Sequence, residues 1–205
     1  MYTTLLFKES PVQSLIIILF CILSVLYKSY KVLYLFIFLF LFLIIFYRYK
    51  PHSERYANNV IISPAEGIIS YLEQKDDKII VSIYLNLLNN HTQIYPVNGV
   101  VVNRIYDNSG KFDLVNNRTK SRFNEKKIHT IEMENKKTIV LTQIAGFFAR
   151  RISSSKTVPQ KVMAGEYLGI IKFGSRVDLE FEGDISKIMI KDDQKINIGD
   201  IIYKY

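Results

Sequence analysis

"KFGSRVDLEFEG", residues 172–183, alternates as a half-buried β-strand does, with Val177, Leu179 and Phe181 on one face and Arg176, Asp178 and Glu180 on the other. It opens on Gly174-Ser175. A glycine at the mouth of a strand marks a bulge, a bend or a close backbone approach, and here a hydroxyl follows it at once. The alternation predicts a β-rich fold, and the two residues before it raise a question of chemistry.

From residue 51 onward the chain is a succession of short β-branched and aromatic runs with turns between them. They cover 60–74, 78–86, 97–107, 126–135, 136–146 and 167–183, with "MENKKT" as a hairpin turn and "FFARRISS" (147–154) as the one weak helix candidate. This spacing predicts a mainly β domain over 51–205, a sandwich or a barrel-like sheet. A faint repeat lies within it: "QKVMAGEYLGII" (160–171) matches "QKINIGDIIYKY" (194–205). In each copy a glycine permits a tight turn and the following acid can bond turn amides. This is the turn-and-strand unit of lipoyl- and biotinyl-type hammerhead folds, and both copies read as scaffold.

Residues 1–50 have another character. "VQSLIIILFCILSVLY" (12–27) and "VLYLFIFLFLFLIIFY" (32–47) are almost wholly apolar, separated by "KSYK". A spanning helix needs about 17–25 apolar residues. Joined as one helix, the runs would bury Lys28 and Lys31 in mid-bilayer at about 2.5–3.5 kcal/mol each. The expectation is therefore a membrane-anchoring helical hairpin, transmembrane or re-entrant, with both lysines snorkelling at its turn. A second apolar run follows the first directly, with no small-residue cleavage site, which argues against a signal peptide.

The 205 residues carry 27 Lys+Arg against 19 Asp+Glu, a net charge of +8. That balance favours phosphate-bearing partners, either nucleic acid or an anionic membrane surface. The charges are spread without an aromatic-basic motif, which disfavours nucleic acid. Cys21 stands alone in an apolar run, so no internal disulfide forms, and no Cys/His cluster has metal-ligand spacing.

Three places join a turn glycine to reactive groups: "SPAEG" (63–67), "NNHTQIYPVNG" (89–99) and "FGSR" (173–176). Singly, Glu66 reads as a turn residue, His91 as a loop histidine and Ser175 as a bulge. Together they offer an acid, a base and a nucleophile. Ser175 is no G-x-S-x-G elbow, and the nearest carbonyl is that of Gly174, which has no Cβ to block approach. An N→O acyl shift there gives an ester. β-Elimination then breaks the chain and leaves a dehydroalanine, and its hydrolysis leaves an N-terminal pyruvoyl group.

The ordered series "FYRYKPHSER", "SPAEG", "IYLNLLNNHTQIYPVNG", "GKFDLVNNRTKSRFNEK", "QIAGFFARRI", "VMAGEYLGIIKFGSRVDLEF" and a closing "GD" resembles the phosphatidylserine decarboxylase proenzymes of the short, membrane-anchored prokaryotic type, with their archaetidylserine relatives. The resemblance spans essentially the whole chain. It implies cleavage between Gly174 and Ser175 into chains 1–174 and 175–205, and conversion of Ser175 to a covalent pyruvoyl group, with no metal. It makes His91 the general base on Ser175. Glu66 stands where the family usually has aspartate, and would reach the His91 ring by a longer rotamer. Ile94 stands where longer members carry a further histidine. The implied substrate is an anionic phospholipid, whose carbanion after CO2 loss needs the pyruvoyl electron sink. Arg150 and Arg151 are candidates for headgroup phosphate or carboxylate contact, with ion pairing within the β-domain or a solvated face as the other reading. The implied location is the cell membrane, with the catalytic domain on the cytoplasmic face; homo-oligomerisation stays open. Two alternatives stand beside this: a membrane-tethered lipoyl-like binding module, and a homologue that no longer cleaves itself.

Overall fold

Residues 3–52, 54–107, 121, 123–146, 152–154, 157–172 and 174–205 are described by the structure, a computed structural model. The chain divides into two units, Met1–Lys50 and Pro51–Tyr205.

In the first unit a short ribbon, β1 (Thr3–Thr4) with β2 (Arg48–Tyr49), brackets three helices: α1 (Leu6–Glu9), α2 (Pro11–Leu26) and α3 (Tyr30–Phe46). Pro11 starts α2 where its missing N–H costs nothing. Lys28 turns the chain between α2 and α3 at φ 53°. Phe20 stacks on Phe36 across the hairpin at 4.8 Å, and Ser10 meets the Tyr47 hydroxyl at 2.5 Å. Leu15, Leu19, Leu26, Tyr34, Phe38 and Ile45 remain exposed. The helical part of the expectation from the sequence is met, since α2 and α3 form a hairpin. Its helices have 16 and 17 residues, so each is about 25 Å long against a hydrocarbon core of about 30 Å. No helix among the described residues is long and apolar enough to cross a membrane.

The second unit is antiparallel β. Its strands are β3 (Val60–Ile62), β4 (Gly67–Lys75), β5 (Lys78–Leu85), β6 (Thr92–Ile94), β7 (Gly99–Asp107), β8 (Lys126–Glu132) and β9 (Thr138–Ala145). They continue as β10 (Ile152–Ser154), β11 (Gln160–Val162), β12 (Tyr167–Ile171), β13 (Ser175–Glu182), β14 (Lys195–Ile196) and β15 (Ile201–Lys204). One sheet runs in the order β11-β7-β8-β9-β13-β5-β4-β14. A second runs β10-β12-β6, and β15 pairs with β3. The sheets are open, so the barrel-like alternative does not hold. They share one core, in which Ile79, Val81, Leu141, Leu179 and Phe181 of the large sheet meet Ile61, Leu168, Ile171 and Ile202 of the small ones.

Two expected runs divide. Pro64 has no N–H to give a ladder, and the 60–74 run breaks there into β3 and β4. The 167–183 run divides into β12, which ends at Ile171 in one sheet, and β13, which begins at Ser175 in the large sheet. The "FFARRISS" helix is corrected in its described part: Ile152–Ser154 is strand β10, paired with β12, as suits a β-branched residue followed by serines. The rest of that segment lies outside the described residues.

The repeated units carry the local chemistry their sequence suggested. Gly165 and Gly199 turn at φ 92° and 89°. Glu166 accepts from the Met163 amide (3.0 Å) and Asp200 from the Asn197 amide (2.8 Å). The repeat extends further than its sequence suggests, because "ISPAEG" (62–67) and "IYPVNG" (94–99) occupy matching places. The Ile62 amide bonds the Pro96 carbonyl and the Ile94 amide bonds the Pro64 carbonyl, both at 3.0 Å. Ser63 then brackets the Gly199-Asp200 turn as Tyr95 brackets Gly165-Glu166. This doubled frame brings the "SPAEG" turn beside the strand that begins next to His91.

Candidate active site

Ser175 is the first residue of β13, held between Leu85 of β5 and Ala145 of β9. Alternation puts it on the face of Val177, Leu179 and Phe181. All four are buried, Ser175 completely. Its Oγ has no hydrogen-bond partner among the described residues. An enclosed, unpaired hydroxyl costs about 1–3 kcal/mol, so such a group calls for a reason beyond packing.

Gly174 supplies the bend. It sits at φ 62°, where an L side chain is strained, and among the described residues beyond its chain neighbours nothing lies within 4 Å of the place a Cβ would occupy. The glycine thus lets the chain pass from one sheet to the other just before the serine.

His91 is fully buried just before β6. Its Nδ1 lies 2.8 Å from the Asn89 carbonyl, an acceptor, so Nδ1 carries the hydrogen. Nε2 is then the basic nitrogen, and it accepts the Gly174 amide at 3.3 Å. A neutral imidazole thus presents its lone pair to the residue whose carbonyl would be attacked.

Glu66 lies in the turn between β3 and β4. Its Oε1 accepts from Asn89 Nδ2 at 3.0 Å. The direct bond to the imidazole expected of a carboxylate is replaced by a relay through Asn89, whose side chain meets Glu66 and whose carbonyl meets His91. The reason is competition: the Asn89 carbonyl, two residues away along the same loop, already takes the only ring N–H. Asp178 is committed elsewhere, paired with Arg176 at 2.8 Å on the opposite face of β13. Arg150 and Arg151 lie outside the described residues.

Sequence reading missed Asn89, and it missed a buried polar row behind His91. Gln93, His129 and Gln143 are each fully buried. The available signal was a polar residue at an inward position of an alternating strand: Gln143 follows Ile139 and Leu141 on one face of β9. Among the described residues no group of three His, Cys, Asp or Glu could hold a metal ion.

Residues 39–204 match the family model for phosphatidylserine decarboxylase. The chain is 36% identical over 155 residues to the phosphatidylserine decarboxylase proenzyme of Wolbachia pipientis wMel, covering 70% of this chain and 66% of that protein. It is 35% identical over 144 residues to the proenzyme of Rickettsia bellii (strain OSU 85-389), covering 65% and 62%. With that of Ehrlichia ruminantium (strain Welgevonden) it shares 40% over 130 residues, covering 60% and 57%. The chain belongs to the phosphatidylserine decarboxylase family. The matched part spans just under two thirds of the first of these relatives.

Proposed function

We propose that this protein is a proenzyme that cuts itself between Gly174 and Ser175 and then decarboxylates phosphatidylserine to phosphatidylethanolamine. The observation that carries the reading is the buried, unpartnered Ser175 Oγ beside Gly174, with the basic nitrogen of His91 on the Gly174 amide. His91 Nε2 takes the Ser175 proton as Oγ attacks the Gly174 carbonyl carbon; the C–N bond breaks and an ester forms. Loss of the Ser175 α-proton expels the Gly174 carboxylate and leaves a dehydroalanine at 175. One water enters and one ammonia leaves, giving a pyruvoyl group on chain 175–205. That carbonyl supplies the electron sink for the carbon that loses CO2. The residues present fit it: Ser175 has an unused oxygen and is fully buried, and the His91 imidazole is hydrogen-bonded to the residue before it. Burial strengthens each polar contact made there.

The lipid substrate accords with the exposed apolar surface of the first unit, and with Leu87 and Leu88, 47% and 80% exposed on the loop that leads to His91. In this reading residues 1–50 anchor residues 51–205 to the cell membrane on its cytoplasmic side. Lys28 and Lys31 extend the short hairpin to the far headgroups by snorkelling.

Intact mass of the protein purified from membranes is the test. Two chains are expected, the smaller beginning at residue 175 with an N-terminus that reacts with carbonyl reagents. His91→Ala should leave a folded, uncut chain. A single unmodified chain from the wild type would overturn the reading.

A further inference from the structure

Behind His91 runs a continuous row of side-chain hydrogen bonds. Arg104 Nε donates to His129 Nδ1 (3.1 Å), and His129 Nε2 meets Gln143 Oε1 (3.1 Å). Gln143 Nε2 donates to Gln93 Oε1 (2.9 Å), and Gln93 Nε2 donates to the His91 carbonyl (2.5 Å). The row crosses from β7 through β8 and β9 to β6.

Its direction is fixed chemically. A guanidinium has donors and no acceptor, so His129 Nδ1 must accept and the neutral ring must carry its hydrogen on Nε2. Gln143 then has to present its oxygen to His129 and its amide to Gln93. Gln93 in turn presents its amide to His91. Burial holds the His129 ring neutral, its pKa lowered to about 4, in keeping with this polarity. Arg104 is fixed in turn by Tyr95 Oη (2.6 Å) and Gln160 Oε1 (2.8 Å). Every link thus has one orientation, and bonds aligned head to tail strengthen one another.

We propose that Gln93 and Gln143 are positioning residues for His91. Their row, anchored at Arg104, pins the His91 main chain so that its ring keeps Nδ1–H on Asn89 and its lone pair on Gly174. The His91 carbonyl also receives the Ile171 amide of β12 at 3.4 Å, so this one carbonyl ties the row to the segment that leads into Gly174. Replacing a whole set of paired buried polar groups by apolar residues of the same shape can be nearly neutral, so packing alone does not call for three polar side chains at inward strand positions. This inference rests on reading Ser175 and His91 as the self-cleaving pair.

The test uses the full chain. Gln93→Met and Gln143→Met remove the amides at nearly constant length, and Ile131→Val supplies a core control outside the row. Self-cleavage should slow by about tenfold or more in both Met variants, as a displaced base demands, while the control stays within about twofold of wild type, as a mild core change allows. The ring nitrogens of His91 are read separately by 15N NMR in the uncleavable Ser175→Ala background. That chain should give a single tautomer with hydrogen on Nδ1, and either Met substitution should turn it into an averaged signal. Cleavage within about twofold of the control, or an unchanged His91 signal, overturns the proposal. Should Gln143→Met not fold, Gln93→Met decides alone. Should the wild type never cleave, the function proposed above fails, while the ring signal still decides this inference.

Discussion

At the residue scale, the site is governed by which atom receives each proton. Because Glu66 meets Asn89 rather than the imidazole, the order of its variants changes from what a direct acid–base pair would give. A glutamine at 66 can still accept from Asn89 Nδ2, whereas an aspartate is one methylene short. Cleavage time courses should therefore place Glu66→Gln close to wild type and Glu66→Asp slower. A faster Asp variant with a strongly impaired Gln variant would restore the direct pair. His129 makes a second prediction. Its pKa falls from 6.5 to about 4 on folding, first through burial. The folded state then binds fewer protons than the unfolded one between those values. Stability is full above pH about 6.5 and is lost as pH falls toward 4, by on the order of 3 kcal/mol. Denaturant titrations of the uncut Ser175→Ala chain across that range measure it, and a slope unchanged by His129→Gln would count against it.

At the element scale, β13 is a central strand whose first residue is the proposed cleavage point. It pairs with β5 from Ser175 to Glu182 and with β9 from Ser175 to Phe181. Val177, Leu179 and Phe181 are buried, each contributing about 1.5–3 kcal/mol. Breaking the chain before such a strand removes one peptide bond and none of these contacts. The two chains should elute together in native size exclusion and separate only in denaturant. Loss of chain 175–205 under native conditions would show that the ladder does not hold it. Leu179→Ala should cost about 2–5 kcal/mol in the uncut chain, measured by the same titrations. The strand itself was legible: alternation of Val177, Leu179 and Phe181 needs only the two-residue period. The division of 167–183 between two sheets was not, because both halves are apolar and β-branched, and only partner strands distinguish them.

At the scale of the whole molecule, the proposed groups Glu66, His91, Gly174 and Ser175 all lie within Pro51–Tyr205. Residues 51–205 expressed alone should therefore still cleave, and should leave the membrane fraction. Sedimentation with anionic vesicles, before and after a high-salt wash, checks the second point. Binding that survives salt in the truncated chain would place the anchor in the β unit, since electrostatic attachment is screened. The hairpin and its lysine turn were legible from hydropathy and charge alone. Helix length followed as well: the two 16-residue runs became helices of 16 and 17 residues, displaced toward the N-terminus by one or two positions.

Features that depend on near neighbours along the chain were legible in the residues alone. These are strand alternation, the turn glycines with their acids, the apolar hairpin, and the glycine-serine pair with the histidine and acid that accompany it. Tertiary structure alone decided what depends on groups far apart in sequence. It turned the His91 ring toward Gly174, 83 residues on, and gave the ring N–H to Asn89 instead of Glu66. It also ran a row of amides through the core from Arg104 to His91. A hydrogen bond is short and directional, and a residue's neighbours in sequence do not reveal which partner it will face across a sheet.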